Sequence, residues 1–105
     1  MELLSIDLAR ETPPVLYVRG EIDMATAGQL RSALEDAMAA ASPVVVDMRD
    51  VSFIDLFGVR VILEAAGTGN GHGPLRLVHA ARVARLLDLI GLDEEKASLD
   101  IRDGR

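Results

Sequence analysis

With 105 residues, 17 Asp+Glu against 11 Lys+Arg and a formal charge of −6, the chain has room for one hydrophobic core, and residues 1–105 are expected to form a single domain. An acidic balance argues against nucleic acid or an anionic membrane surface as partner, because both select positive surfaces, and favours a basic partner surface. The absence of cysteine excludes a disulfide framework, a thiolate metal site and a cysteine nucleophile.

Leu4, Ile6 and Leu8 alternate with Ser5, Asp7 and Ala9, the period of a strand with one buried face. Thr12-Pro13-Pro14 marks a turn, and Val15 to Arg19 supply a second strand closed by Gly20, so the chain opens with a β-hairpin. Asp23 and Thr26 are both candidate N-caps for the helix that follows, with Thr26 and Gln29 at capping-box spacing. Ala27, Leu30, Leu34, Ala37, Met38 and Ala41 share one face of that helix. Arg31 and Glu35 form an i, i+4 pair on the other, and Ser42-Pro43 ends it.

The chain is organised around the stretch from Pro43 to Gly58. Val44, Val45 and Val46 form an unbroken β-branched run ending at Asp47, which reads as a short strand buried on both faces in the middle of a sheet. Val51, Phe53 and Ile54 carry the apolar signal across a tight connection to Asp55, the expected N-cap of a second helix. Val59, Ile62, Leu63 and Ala66 then define its core stripe. At roughly 100° per residue, Phe57, Val61 and Glu64 fall almost opposite that stripe, so the helix is expected to open with a phenylalanine aimed at solvent. Gly58 beside it is expected to leave the surface open to another backbone.

Gly67 to Pro74 is glycine-rich, but it runs from a helix into a strand, the reverse of a phosphate-cradling loop, and reads as a surface connection. Leu75, Leu77 and Val78 make the next strand, and Val83, Leu86, Leu87 and Ile90 a third amphipathic helix. Gly91-Leu92 fits a left-handed C-cap, and Ser98 to Ile101 an edge strand. The order β β α β α β α β describes an α/β mixed sheet of about four to five strands with helices packed mainly on one side.

The stretch "VSFIDLFGVRVILEA" resembles the central signature of the STAS domain, the fold of bacterial anti-sigma factor antagonists, also called anti-anti-sigma factors. "VLYVRGEIDMATAGQLRSAL" is similar to the family's first hairpin-and-helix segment, with Gly20, Glu21, Asp23 and Leu30 in its places, and "LRLVHAARVARLLDLIGLDE" is similar to its last strand and helix. The resemblance covers nearly the whole chain. It implies a STAS fold and a cytoplasmic regulator of transcription that sequesters an anti-sigma factor, usually a serine-protein kinase of the histidine-kinase-like ATPase group, and so frees a sigma factor.

The contact surface implied by the resemblance is the start of the first helix, Asp23, Met24 and Thr26, and the tip of the second, Asp55, Leu56, Phe57, Gly58, Arg60 and Val61. In phosphorylation-switched members that tip reads Asp-Ser-Ser-Gly or similar, and the second hydroxyl takes the phosphate. Here the two positions are Leu56 and Phe57, neither of which accepts one. Phosphate adds about −2 charge and breaks such a complex by repulsion and desolvation. This chain is therefore expected to lack the usual switch, with Leu56, Phe57 and Val61 as an apolar anchor. Ser52 is the secondary phosphorylation candidate, weighed against a local backbone hydrogen bond.

Nothing in the chain spells catalysis, since His72 in the glycine loop and His79 at a helix entrance stand in no triad or metal-site relation to an acidic or hydroxyl residue. Asp23, Asp47, Asp50 and Asp55 stand at strand ends and helix starts, where a Mg²⁺ site would use them, but capping and tight turns account for each. No cofactor or metal is expected. The first residues lack the basic head and apolar middle of a secretory signal, and no apolar run approaches the roughly 20 residues that span a bilayer, so a cytoplasmic location without direct membrane insertion is expected. Two alternatives stand beside the antagonist reading. One is a STAS accessory subunit of a membrane transporter complex, docked on its ATPase or channel. The other is a self-associating regulatory scaffold in which Phe57 from two copies meets, so a monomer or weak homodimer is expected.

Overall fold

The structure, a computed structural model, describes residues 3–41, 43–67, 75–93 and 97–102. In chain order its elements are β1 (Leu4–Ala9), β2 (Val15–Ile22), α1 (Ala27–Ala40), β3 (Val45–Ile54), α2 (Leu56–Gly67), β4 (Leu75–Val78), α3 (Ala81–Leu89) and β5 (Leu99–Arg102). The five strands lie in the order β1-β2-β3-β4-β5, with β1 antiparallel to β2 and each later neighbour parallel. Each parallel step is bridged by one helix. Right-handed crossovers advancing in one direction deliver all three helices to the same face, with α2 between α1 and α3.

The core follows from strand register. Leu16, Val46, Leu77 and Ile101 stand opposite one another across β2, β3, β4 and β5, and each is buried beneath the helices. One residue along, Tyr17, Asp47, Val78 and Arg102 form the matching row on the opposite face, which is polar. On that face Arg102 Nε donates to Asp100 Oδ2 at 2.8 Å, and Arg76 Nε forms an ion pair with the same oxygen at 3.5 Å. Val44, Val45 and Val46 are all buried, as a central strand requires. Val45 lies on the polar face between Val15 and Arg76.

β3 does not stop at Asp47, as the sequence pattern suggested. It runs through Ile54 because two bulges absorb the polar residues that read as a connection. The pairing passes from Tyr17 with Asp47 to Arg19 with Asp50, so Val18 faces two residues, and Ser52 is a second insertion between the pairs of Val51 and Phe53. The Asp47 carboxylate accepts the Arg49 amide at 2.9 Å inside the first bulge. The inward spacing thereby changes from two to three, burying Met48, Val51 and Ile54 and leaving Arg49, Asp50, Ser52 and Phe53 outside. β2 likewise runs past Gly20, which adopts φ +110 where a Cβ would collide with the Leu3 carbonyl.

Three expectations about the helices require correction. Val61 is 2% exposed, not on the solvent face, because α2 is flanked by both other helices. Its buried set is Gly58, Val59, Val61, Ile62 and Ala66, a stripe rotated by roughly 60° from the one centred on Val59, Ile62, Leu63 and Ala66. Gly58 faces the sheet, not a partner: a Cβ there would stand 2.5 Å from Ile22 Cγ2 and 2.8 Å from Ile54 Cγ1. Arg31 pairs with Glu64 of α2 at 3.0 Å instead of with Glu35. Both side chains are about half exposed, so this clasp contributes at most about 1 kcal/mol.

At α3, Val83 and Leu87 are buried, Leu86 is half-buried, and Ile90 is exposed just past the helix end. Gly91 takes φ +76, its amide donates to Asp88 O, and the Leu92 amide donates to Leu87 O, so the expected left-handed C-cap is present. The glycine-rich connection with His72 lies outside the described residues.

These contacts separate two glycines on buried and open ground. Gly58→Ala is expected to lower stability by about 1–3 kcal/mol through overpacking against Ile22 and Ile54. Gly28→Ala in α1, where a Cβ meets nothing within 4 Å, is expected to raise it by up to about 1 kcal/mol. Urea unfolding of the two variants checks the opposite signs.

On the polar face, the Arg102 hydrogen bond holds the Asp100 carboxyl below its ordinary value of 3.8, against a smaller opposing effect of burial. A depressed acid contributes stability above its unfolded value and loses it as pH falls through the folded one. The stability gap between wild type and Asp100→Asn is therefore expected to be constant near neutrality and to close below pH 3.8, as read by denaturant midpoints across pH.

Candidate partner-binding tip

The carboxyl ends of β2 and β3 meet where the Asp55 amide donates to the Ile22 carbonyl at 3.1 Å, which sets the turn into α1 beside the start of α2. In the first of these turns, Asp23 Oδ1 accepts the amides of Ala25 at 2.9 Å and Thr26 at 3.2 Å. Thr26 Oγ1 accepts the Asp23 amide at 3.0 Å and donates to the Glu21 carbonyl at 2.8 Å. Those bonds turn Thr26 inward. It is 7% exposed, so it supports the turn from within and is not a surface contact. They also use the hydroxyl that a capping box would need. Gln29 instead donates its side-chain amide to the Leu4 carbonyl at 3.1 Å, tying α1 to β1.

Asp55 caps α2 as the sequence indicates: Oδ1 accepts the amides of Phe57 at 2.9 Å and Gly58 at 3.2 Å, and the Asp55 carbonyl accepts the Val59 amide at 3.1 Å. With Asp55 fixed at the junction and Gly58 pressed on the sheet, the two residues between them face outward. Leu56 is 53% and Phe57 50% exposed, Met24 on the neighbouring turn is 71% exposed, and Arg60 is exposed one turn along the helix.

Of the residues expected at the contact surface, Met24, Leu56, Phe57 and Arg60 are presented to solvent, and Asp23 and Asp55 are half-buried, Asp23 bracing the turn before α1 and Asp55 capping α2. Thr26, Gly58 and Val61 are buried. Phe53, absent from the expected set, is 47% exposed on the last residues of β3. Its signal lay in the spacing of Val51 and Ile54, which leaves both intervening residues outside once both ends point inward. Glu21, the cross-strand partner of Phe53, and Asp50, earlier on β3, are both exposed carboxylate residues. Ser52 is exposed on β3 and donates to the Gly20 carbonyl at 3.2 Å, in the second bulge and not on the helix. Among the described residues, no three His, Asp or Glu side chains converge as a metal site.

A five-stranded mixed sheet with three helices on one face, and a capped helix opening beside the β2 turn, defines a STAS-type α/β fold. A family model described as "Mlab, STAS domain" matches residues 6–101, and the chain belongs to that family. Among solved structures, it is similar to an anti-sigma factor antagonist from Mycobacterium paratuberculosis, with 25% identity, a TM-score of 0.76, and coverage of 92% of this chain and 85% of that one. The anti-sigma factor antagonist SpoIIAA in its unphosphorylated form shares the fold at 22% identity and a TM-score of 0.63, over 89% of this chain and 94% of that one. An antisigma-factor antagonist STAS domain from Rhodobacter sphaeroides shares it at 17% identity and a TM-score of 0.56, over 71% and 85% respectively. Among curated proteins no sequence matches this chain.

The tip is held by a small set of polar bonds whose loss is measurable. Thr26→Val, which removes the buried hydroxyl that joins the Asp23 amide to the Glu21 carbonyl, is expected to cost about 1–3 kcal/mol. Asp55→Ala is expected to cost about 1 kcal/mol for the lost cap. Chemical denaturation of the two variants checks both values.

Proposed function

We propose that this chain is a single-domain binding module of the anti-sigma factor antagonist kind, which captures an anti-sigma factor in the cytoplasm and so frees a sigma factor. Its contact surface is Met24, Phe53, Leu56, Phe57 and Arg60, framed by Asp23 and Asp55. The observation that carries this reading is Phe57, half exposed at the capped start of α2. An outward aromatic at a helix tip is an anchor for a partner's apolar socket. The exposed carboxylates of Glu21 and Asp50 and the net charge of −6 favour a basic rim around that socket.

The same residue defines the regulation. A side chain at position 57 projects to solvent where a kinase partner would reach it, and phenylalanine offers no hydroxyl. Binding through this tip is thus constitutive with respect to phosphorylation at that position, whether or not the partner is itself a serine kinase. Ser52 lies apart, on a bulged strand with its hydroxyl donated to backbone.

Affinity capture from source-cell lysate, with tagged wild type and Phe57→Ser in the presence and absence of ATP, tests both parts. Retention of an anti-sigma kinase by wild type in ATP, with phosphorylation and release of Phe57→Ser, is the expected outcome. Recovery of a transporter ATPase, or of further copies of this chain alone, would replace the antagonist reading with the accessory-subunit or scaffold one. With the purified partner, Phe57→Ala is expected to weaken binding by about 2 kcal/mol, roughly 30-fold, in titration calorimetry.

A further inference from the structure

A groove of about 130 Å³ lies between the second half of β3 and the first turn of α3, floored by Met48, Val51 and Ile54 and rimmed by Arg49, His79 and Arg82. His79, at φ +55, turns the chain from β4 toward α3. Arg49 Nη2 stands 2.7 Å from His79 Nε2. A guanidinium only donates, so Nε2 is the acceptor in this contact.

Among the described residues, neither Arg49 nor Arg82 forms an ion pair, and the carboxylate of nearby Asp47 accepts Arg49's backbone amide. The first turn of α3 has no acidic side chain, and its N-cap, Ala80, offers no side-chain oxygen to the free amides there. Arg49, Arg82 and a helix start without a side-chain cap line one groove, and among the described residues neither arginine is neutralised by an ion pair.

We propose that this groove binds a small oxyanion of the phosphate class, held by the guanidinium groups of Arg49 and Arg82 and by the first-turn amides of α3. Charge-assisted bonds from arginine and the partial positive charge of the helix terminus act on the same ligand. A groove of about 130 Å³, below the roughly 300–1,000 Å³ of pockets for drug-sized ligands, fits a free phosphate or one phosphoryl group. The inference is independent of the partner assigned to the tip, since the groove is lined by none of the exposed tip residues.

The test is a titration of the ¹⁵N-labelled full chain with inorganic phosphate, against chloride at matched ionic strength, followed by amide chemical shifts. A saturable shift centred on Arg49 and Ala81 to Val83 is expected. The double substitution Arg49→Gln/Arg82→Gln is expected to weaken binding by at least about tenfold, the scale of one charged hydrogen bond. Arg85→Gln, on the same helix but outside the groove, is expected to leave it unchanged. Arg49, Arg82 and Arg85 are exposed, so these variants are expected to fold, and their spectra report whether they do. A phosphoserine peptide titrated in parallel separates the sources: tighter binding than phosphate marks a phosphoprotein ligand, and equal or weaker binding a free anion. Shifts that stay linear in phosphate, or that persist equally in the double variant, would overturn the site.

Discussion

The close seating of α2 on the sheet at Gly58 is the constraint on which the rest of the tip depends. A hydrogen atom in place of a methyl group lets the first turn of the helix rest against Ile22 and Ile54, the last residues of two adjacent parallel strands. That proximity puts the Asp55 amide on the Ile22 carbonyl and leaves its carboxylate free to cap. Leu56 and Phe57 are then the two residues between a fixed junction and the first inward position, and geometry turns them out. Exposure of a phenylalanine there is a consequence of packing beneath it, not of a loose helix end.

The sheet supplies the second half of the arrangement. An inner row of Leu16, Val46, Leu77 and Ile101 fixes the register under the helices. The opposite face carries polar side-chain pairs such as Arg102 with Asp100. Two bulges late in β3 then swing its last residues out of phase, so that Ile54 reaches the core while Phe53 stays outside. Met24, Phe53, Leu56 and Phe57 are in this way exposed together at the carboxyl end of β2 and β3. Chain turns there are already pinned by Asp23, Thr26 and Asp55, so a partner meets a surface with little ordering left to undergo.

Element order, the central place of Val44 to Val46, the Asp55 cap, the Gly91 C-cap and the outward Phe57 were legible in the sequence because each rests on local chemistry: β-branching, a capping oxygen, a left-handed glycine, a helical period. The resemblance to STAS domains rested on the same segments, and the family match and fold agree with it. What escaped was tertiary. Nothing local distinguishes a bulge at Arg49 and Ser52 from a loop. The burial of Val61 depends on α2 having a helix on either side, which widens its buried stripe beyond one apolar row. Gly58 and Thr26 stood at helix-start positions where openness or capping is the ordinary reading, and only the neighbouring strands show that one is a packing gap and the other an internal brace. Arg31 found Glu64 because the α1–α2 approach, invisible in a heptad-scale pattern, set the two side chains face to face.

The central claim is that partner binding uses the tip formed by the β2 turn and the start of α2. Hydrogen–deuterium exchange of this chain, free and in complex with the anti-sigma factor proposed as its partner, tests that most directly. The account predicts added protection confined to amides 23–26 and 53–60, with β4 and β5 exchanging as in the free protein. Protection centred on the polar sheet face around Arg76, Asp100 and Arg102, with the tip unchanged, would contradict it.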